Sequence, residues 1–157
     1  MNLDLLLNGA RRSVEIDPGE SLMEVLRRLG CKSVHNGCDD GYCGSCAVLL
    51  DGRAVNACLV FAARAAGCRV DTIEGLAREG VLHPVQRALL DLGAVQCGFC
   101  TPGMVMTALD LLARNPRPTE SDVRRSLAGN YCRCTGYVKP VEAILAAAAA
   151  ELREEAE

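Results

Sequence analysis

The sequence predicts an α+β fold, with a mixed β-sheet in the first half of the chain and a helical bundle in the second. Before residue 74, apolar and polar residues alternate in short segments, as they do in strands with one buried face. From His83 onward, apolar residues recur at helical spacing instead. The change of period predicts a boundary between residues 74 and 84, and we expect domains at residues 1–75 and 76–157.

The first elements follow from local turn and capping signals. Asn8-Gly9 separates two alternating segments, which predicts a β-hairpin. Ser21 and Glu24 have the spacing of a capping box, so a helix should begin there and end near Gly30.

A second hairpin is expected within residues 47–55, around Asp51-Gly52, and a last short strand at residues 70–73. Helices should then cover residues 85–92 and 101–113. Thr119 should cap a third helix, and a fourth, Ala-rich helix should run from Pro140 to about residue 153.

Composition narrows the class of protein. The net charge is −3, and the Lys and Arg residues are scattered, so nucleic acid is not an expected partner. The start of the chain lacks a secretory pattern, and no apolar run reaches transmembrane length, so we expect a cytoplasmic protein without a membrane partner. In a reducing compartment the 10 cysteines are candidate metal ligands rather than disulfides.

Four cysteines form a first set. Cys38, Cys43 and Cys46 stand as C-x4-C-x2-C and Cys58 follows after a hairpin, which is the plant-type [2Fe–2S] arrangement. Three ligands on one tight loop require the backbone to curl, and we expect the loop glycines to supply positive φ angles. These are Gly37, Gly41 and Gly44. A zinc site also takes four cysteines, but structural zinc usually prefers two C-x2-C pairs.

Four more cysteines form a second set, in the pairs Cys97/Cys100 and Cys132/Cys134. Their spacing alone is compatible with zinc or with an iron–sulfur cluster. Thr101-Pro102 predicts a helix that begins directly after Cys100, so its positive end would face an anionic cluster.

Three ordered motifs carry a family resemblance. Residues 37–46 (GCDDGYCGSC), 96–104 (QCGFCTPGM) and 129–137 (GNYCRCTGY) resemble the iron–sulfur small subunit of the xanthine dehydrogenase and carbon monoxide dehydrogenase family of molybdenum hydroxylases. The resemblance covers about residues 2–150. It departs from the family pattern at Tyr131, where Leu is usual, and at Pro140, where Ile is usual.

The resemblance implies a ferredoxin-like β-grasp domain followed by a four-helix bundle, each with one [2Fe–2S] cluster. It implies the metal ligands Cys38, Cys43, Cys46, Cys58, Cys97, Cys100, Cys132 and Cys134. It also implies that Gln96 and Cys134 lie against molybdopterin on a large partner subunit, that FAD is carried by a medium subunit, and that the complex is a dimer of heterotrimers.

The implied function is electron transfer within an oxidoreductase complex, from the molybdopterin site through both clusters to flavin. This chain would carry no catalytic residue and no substrate site. A purine or another N-heterocycle is the expected substrate of the complex, with carbon monoxide or an aldehyde as alternatives. A zinc-binding adaptor and a free-standing ferredoxin are the rival interpretations. Cys31 and Cys68 fit neither set and are interpreted as ordinary thiols.

Overall fold

The computed structural model describes residues 1–154 and has the expected α+β architecture. The strands come first along the chain, and four of its five described α-helices follow them. Within the described residues, none of the helices is long and apolar enough to cross a membrane.

The strands form one mixed sheet in the order β2-β1-β5-β3-β4. They are β1 (Asn2–Leu7), β2 (Ala10–Glu15), β3 (Ala47–Leu50), β4 (Arg53–Asn56) and β5 (Arg69–Asp71). Both predicted hairpins are present, and β1 pairs with β5 in parallel. In the first turn, Asn8 and Gly9 have φ angles of 50° and 80°, which is the positive-φ pair that a two-residue hairpin turn requires.

The predicted first helix, α1 (Leu22–Arg28), packs on this sheet. Its capping box is formed as expected, since Ser21 accepts a hydrogen bond from the Glu24 amide and the Glu24 carboxylate accepts from the Ser21 amide. Its buried face and alternate residues of β1 build the core of the first half. The core includes Leu3, Leu5, Leu7, Leu22, Val25 and Leu26.

The second half contains α2 (Pro84–Asp91), α3 (Thr101–Arg114), α4 (Glu120–Ser126) and α5 (Val138–Glu154). These match the predicted positions, although α5 begins two residues before the expected Pro140. Proline is tolerated there because the first turn of a helix leaves its amides without intrahelical partners. The four helices share one apolar core centred on α3, with Met104, Val105 and Ala108 among its buried residues.

The two halves are in direct contact, which the sequence did not predict. Helix α3 packs against β3 and β4, and Leu49 of β3 packs on the helical core. The segment between β5 and α2 also contributes, since Ile73 and Leu76 contact the same core. This contact brings the loops that carry the two cysteine sets together.

Candidate metal centres

The first cysteine set lies on a loop between α1 and β3, closed by a short helix after β4. Cys38, Cys43 and Cys46 are on the loop, and Cys58 is in the 3-10 helix Ala57–Leu59. The Asn56 side chain ties this helix to the loop by donating to the Gly41 carbonyl at 2.7 Å. The hairpin β3–β4 therefore returns the chain to the loop and places the fourth cysteine beside the other three.

The curl of this loop uses positive φ angles, but only partly at the expected residues. Gly41 and Gly44 have φ angles of 80° and 64°, as predicted, and Asp39 adds a third at 65°. The prediction was wrong for Gly37, whose φ is not in the left-handed region. Gly37 is needed for space instead, because a Cβ there would come within 2.8 Å of the Cys43 Sγ and 2.7 Å of the Ser45 Oγ.

The four thiols of the first set are grouped as two pairs. The Cys43 amide donates to the Cys38 Sγ at 3.3 Å, which places these two residues side by side. Cys46 lies close enough to Cys58 and Cys43 for a charge on either of them to raise its pKa. All four therefore form one connected group.

The protein environment shifts the pKa values of two of these thiols in opposite directions. Burial raises the pKa of Cys46 to about 12, so this thiol binds a metal only if the metal displaces its proton. Burial also acts to raise the pKa of Cys43, but hydrogen bonding to Ser45, whose Oγ is 2.9 Å from the Sγ, reverses the shift and lowers it. The loop thus stabilises the thiolate of Cys43 relative to that of an ordinary cysteine.

The second set is brought together from two segments. Cys97 and Cys100 lie between α2 and α3, and Cys132 and Cys134 lie between α4 and α5. Again the thiols form pairs. The Sγ atoms of Cys97 and Cys134 are 3.6 Å apart, and Cys132 lies close enough to Cys100 for its charge to raise the pKa of Cys100. Helix α3 begins at Thr101, directly after Cys100, as the sequence predicts.

The two pairs of the second set differ in their exposure to solvent. Cys97 and Cys134 are exposed, whereas Cys100 is buried, and burial raises its pKa to about 12. Cys132 is intermediate: burial acts to raise its pKa, but hydrogen bonds from Thr135 outweigh burial and lower it. The Thr135 amide and Oγ1 lie 3.5 Å and 3.1 Å from the Cys132 Sγ.

Tyr137 holds the second segment in shape. Its hydroxyl accepts a hydrogen bond from the Cys132 amide at 2.8 Å and donates one to the Asn130 carbonyl at 3.0 Å. Tyr137 has a φ of 66°, an unusual value for a bulky residue. The two hydrogen bonds of its hydroxyl hold the side chain in place within this turn. These bonds tie Cys132 to Asn130 through the Tyr137 side chain.

This donor set fits a two-iron cluster better than a single metal ion. A [2Fe–2S] cluster is held by four thiolates on two irons, so two neighbouring pairs are the arrangement it needs. Structural zinc needs four ligands converging on one centre. Within residues 1–154, no group of three or more His, Cys, Asp or Glu side chains is arranged to hold a single metal ion.

Three further residues singled out in the sequence are Gln96, Cys31 and Cys68. Gln96 is exposed beside the outer pair Cys97 and Cys134. Cys31 is buried in the first core at 4% exposure, and burial raises its pKa. Cys68 bonds to the carbonyls of Arg64 and Ala66. Cys31 shares the first apolar core with Cys46, and no disulfide joins the cysteines within residues 1–154.

Three side chains that support the predicted ligands were not predicted from the sequence. Ser45 and Thr135 interact with Cys43 and Cys132, and Asn130 is buried between the two cysteine sets. A hydroxyl residue within three positions of a ligand cysteine was an available signal for the first two. No local signal identified Asn130, because its partner is 86 residues away along the chain.

Two domain families match the chain. One, described as a 2Fe-2S iron-sulfur cluster binding domain, matches residues 5–77, and the other, described as a [2Fe-2S] binding domain, matches residues 72–145. The first match contains the first cysteine set, and the second match contains the second set.

Whole-chain relatives are also similar. The nicotinate dehydrogenase small FeS subunit of Eubacterium barkeri is 43% identical, over 88% of this chain and 89% of that protein. The xanthine dehydrogenase iron-sulfur-binding subunit of Escherichia coli O157:H7 is 46% identical, over 92% of each chain. In the crystal structure of quinoline 2-oxidoreductase from Pseudomonas putida 86, a matching chain superposes with a TM-score of 0.93 at 40% identity, covering 99% of this chain and 98% of that one.

Proposed function

The chain belongs to the iron–sulfur small subunits of the molybdenum hydroxylase family, and we propose that its two cysteine sets hold the two [2Fe–2S] clusters of this electron-transfer subunit. The observation that carries the assignment is the grouping of the thiols into two neighbouring pairs in each set. The ligands are Cys38, Cys43, Cys46 and Cys58 for the first cluster, and Cys97, Cys100, Cys132 and Cys134 for the second.

The chain's own residues prepare both sites. When bound, each cluster supplies a one-electron carrier. The Cys43 and Thr135 amides point at ligand sulfurs, and such donors stabilise the negative charge that a thiolate-bound cluster carries. Cys46 and Cys100 release protons when they ligate, because burial holds both thiols protonated at neutral pH.

We propose that the second set faces the large, molybdopterin-binding subunit. Its outer pair, Cys97 and Cys134, is exposed in the isolated chain, and Gln96 is exposed next to it. A thiolate pair at the surface suits close approach by a second redox group, and Gln96 offers both a donor and an acceptor to a pterin. Gln96 and Cys134 are the residues we assign to that cofactor contact.

The first set would then face the medium, FAD-binding subunit. Large apolar side chains surround its loop in the isolated chain: Tyr42, Leu59 and Phe61 are 67%, 61% and 62% exposed. Such a group of exposed apolar residues is typical of a protein interface. Electrons would enter at the second set and leave from the first.

We further propose a division into a ferredoxin-like β-grasp domain at residues 1–75 and a four-helix bundle at residues 76–157. The two separate apolar cores support it. For the complex we propose a dimer of heterotrimers in the cytoplasm, a reducing compartment in which cysteines outside the clusters stay as thiols. The relatives named above act, by their names, on nicotinate, xanthine and quinoline, so we propose a nitrogen heterocycle as the substrate.

Anaerobic purification of the complex tests the cofactor assignment. We expect about four irons and four labile sulfides per chain, since each [2Fe–2S] cluster contributes two of each. Electron paramagnetic resonance (EPR) of the reduced protein should resolve two cluster signals. A colourless protein that contains zinc would refute the proposal in favour of an adaptor. A chain that elutes alone from native extracts would favour a free-standing ferredoxin.

A further inference from the structure

The loop of the first cysteine set contacts the start of α3, beside the second set, at two glycines. Gly103, in the first turn of α3, faces the backbone of Gly44, and a Cβ on Gly103 would overlap the Gly44 carbonyl oxygen. A Cβ on Gly44 would in turn overlap the carbonyl oxygen of Gly129. The backbones of the three segments can therefore approach this closely only because both positions are glycine.

Two hydrogen bonds join the loops at the same point. The Asn130 side-chain amide donates to the Gly44 carbonyl at 3.0 Å, and the Tyr131 backbone amide donates to the Cys43 carbonyl at 2.9 Å. Consecutive carbonyls of the first loop are thus bound by consecutive residues of the second. Asn130 is only 3% exposed, so water does not compete for its bond.

This contact joins ligand residues of the two sets by a short path. Cys43 belongs to the first set, and Tyr131 directly precedes Cys132 of the second. The Cys43 carbonyl is therefore hydrogen-bonded to the residue that directly precedes Cys132.

The stability of α3 does not explain why residue 103 is glycine. Glycine in a helix interior is less favourable than alanine, and the backbone of Gly103 is helical, so alanine would suit α3 by itself. What prevents alanine is the neighbouring loop of the first set. The helix thus accepts a poorer residue in order to bring the two loops into contact.

We propose that Gly44, Gly103 and Asn130 form an inter-cluster junction that fixes the separation of the two clusters, with Gly103 and Asn130 as positioning residues for electron transfer between them. The proposal rests on the proposed function, because the separation matters only if both sets hold clusters. One electron passes between the two carriers with no atom transferred, and the rate of such a step falls steeply with distance. Small displacements at a supporting position are enough to impair a preorganised site.

The test compares two glycine-to-alanine variants of the assembled complex. Gly103→Ala introduces a methyl group against the Gly44 carbonyl, whereas Gly129→Ala, 26 residues further along the chain, places its methyl group in open space. Gly129 also has no positive φ that would make alanine strained. The control thus repeats the chemical change beside the same junction without pushing the loops apart.

The readout is the magnetic interaction between the two reduced clusters, which weakens with the cube of their separation. In the complex fully reduced with dithionite, we expect Gly103→Ala to retain both clusters but to lose part of the spin–spin broadening in its EPR spectrum. Electron transfer between the clusters should slow several-fold. Gly129→Ala should match the wild type in both measurements.

Asn130→Asp provides a second variant that adds no volume. It replaces the amide donor by an acceptor that faces the Gly44 carbonyl, so the loops should separate and the broadening should again decrease. If both variants hold two clusters with wild-type broadening and transfer rate, the inference is wrong and the proposed function stands. Loss of a cluster from both variants would assign the junction to assembly and overturn the inference. A wild-type chain without two clusters would overturn the proposed function itself.

Discussion

Arg53 of β4 and Asp110 of α3 join the two halves of the chain through an ion pair, with the Arg53 Nε 2.9 Å from the Asp110 Oδ1. Arg114 donates to the same carboxylate from within α3. Burial acts to raise the pKa of Asp110, but the two guanidinium groups outweigh it and hold the pKa below its ordinary value. The ionised carboxylate therefore stabilises the contact between the sheet and the helices.

The first prediction follows from the sign of this shift. A carboxyl whose pKa is lower in the folded chain stabilises the fold above its unfolded pKa of about 3.9, and this stability is lost as the pH falls through the folded value. Asp110→Asn should therefore destabilise the protein by about 1 kcal/mol at neutral pH, because both arginines are largely exposed. That corresponds to a thermal midpoint lower by roughly 2–4 °C.

The measurement is anaerobic thermal unfolding at a fixed scan rate from about pH 5 to about pH 8, a range in which Asp110 stays ionised. The difference between variant and wild type should be constant across it. Glu120→Gln is the control, since its ion pair with Arg124 is exposed on both sides and should contribute almost nothing. A difference that shrinks between pH 8 and pH 5 would contradict the assignment to Asp110.

The second prediction concerns the two thiols outside the cysteine sets. Cys31→Ala and Cys68→Ala should both retain the full complement of iron and sulfide. Cys31 is buried, so its truncation should cost about 1 kcal/mol, whereas Cys68→Ala should change stability by less than about 0.5 kcal/mol. Iron and labile sulfide per chain are the measured quantities, with Cys46→Ala as the positive control that loses one cluster. Iron loss in either variant would mean that a ligand has been misassigned.

The third prediction concerns Gln96. Its side chain is exposed beside the outer pair of the second set, so Gln96→Ala should leave both clusters in place and weaken the contact with the large subunit. Loss of one hydrogen bond across the interface costs about 0.5–1.5 kcal/mol, or up to about tenfold in affinity. Subunit affinity and the rate of reduction by substrate are the measurements. Ser13→Ala, exposed on β2, is the control, and an unchanged affinity and rate for Gln96→Ala would exclude the cofactor contact.

Local signals in the sequence were sufficient for most elements of the fold. Turns and caps involve residues two or three positions apart, so Asn8-Gly9, the Ser21–Glu24 box and the Thr119–Asp122 box are visible in the sequence itself. Spacing on one loop likewise suggests Cys38, Cys43 and Cys46 as a set, whereas the second set joins two segments and was implied only by the family resemblance. The exception is Gly37, where a need for space was read as a need for a positive φ.

Relations between distant segments could not be predicted in the same way. The parallel pairing of β1 with β5 and the packing of α3 on β3 depend on the whole fold. The junction between the cysteine sets is of the same kind. Gly44 and Asn130 are 86 residues apart and contact each other only because both halves have folded and docked. Their sequence neighbourhoods place them in the cysteine motifs but do not show that the two residues meet.

The last prediction tests the direction of electron flow through the two sets. Cys43→Ala removes one thiol of the Cys38/Cys43 pair and should abolish the first cluster, while the second set keeps all four ligands. The backbone carbonyl of residue 43 remains, so its bond to the Tyr131 amide can persist and the second loop should keep its shape. Cys100→Ala removes the buried ligand of the second set and should leave the first cluster intact. EPR of each reduced variant should therefore show one cluster signal, and a different one in each case.

In the assembled complex, these variants should interrupt the electron path at different places. With Cys43→Ala, substrate should still reduce the molybdenum site and the second cluster, but electrons should no longer reach flavin at a useful rate. With Cys100→Ala, the first cluster should be present but not reducible by substrate. Stopped-flow mixing with substrate, followed separately at the flavin and cluster absorbances, distinguishes the two cases. If Cys43→Ala reduces flavin at nearly the wild-type rate, the first set does not lie between the second set and flavin, and the proposed order is wrong.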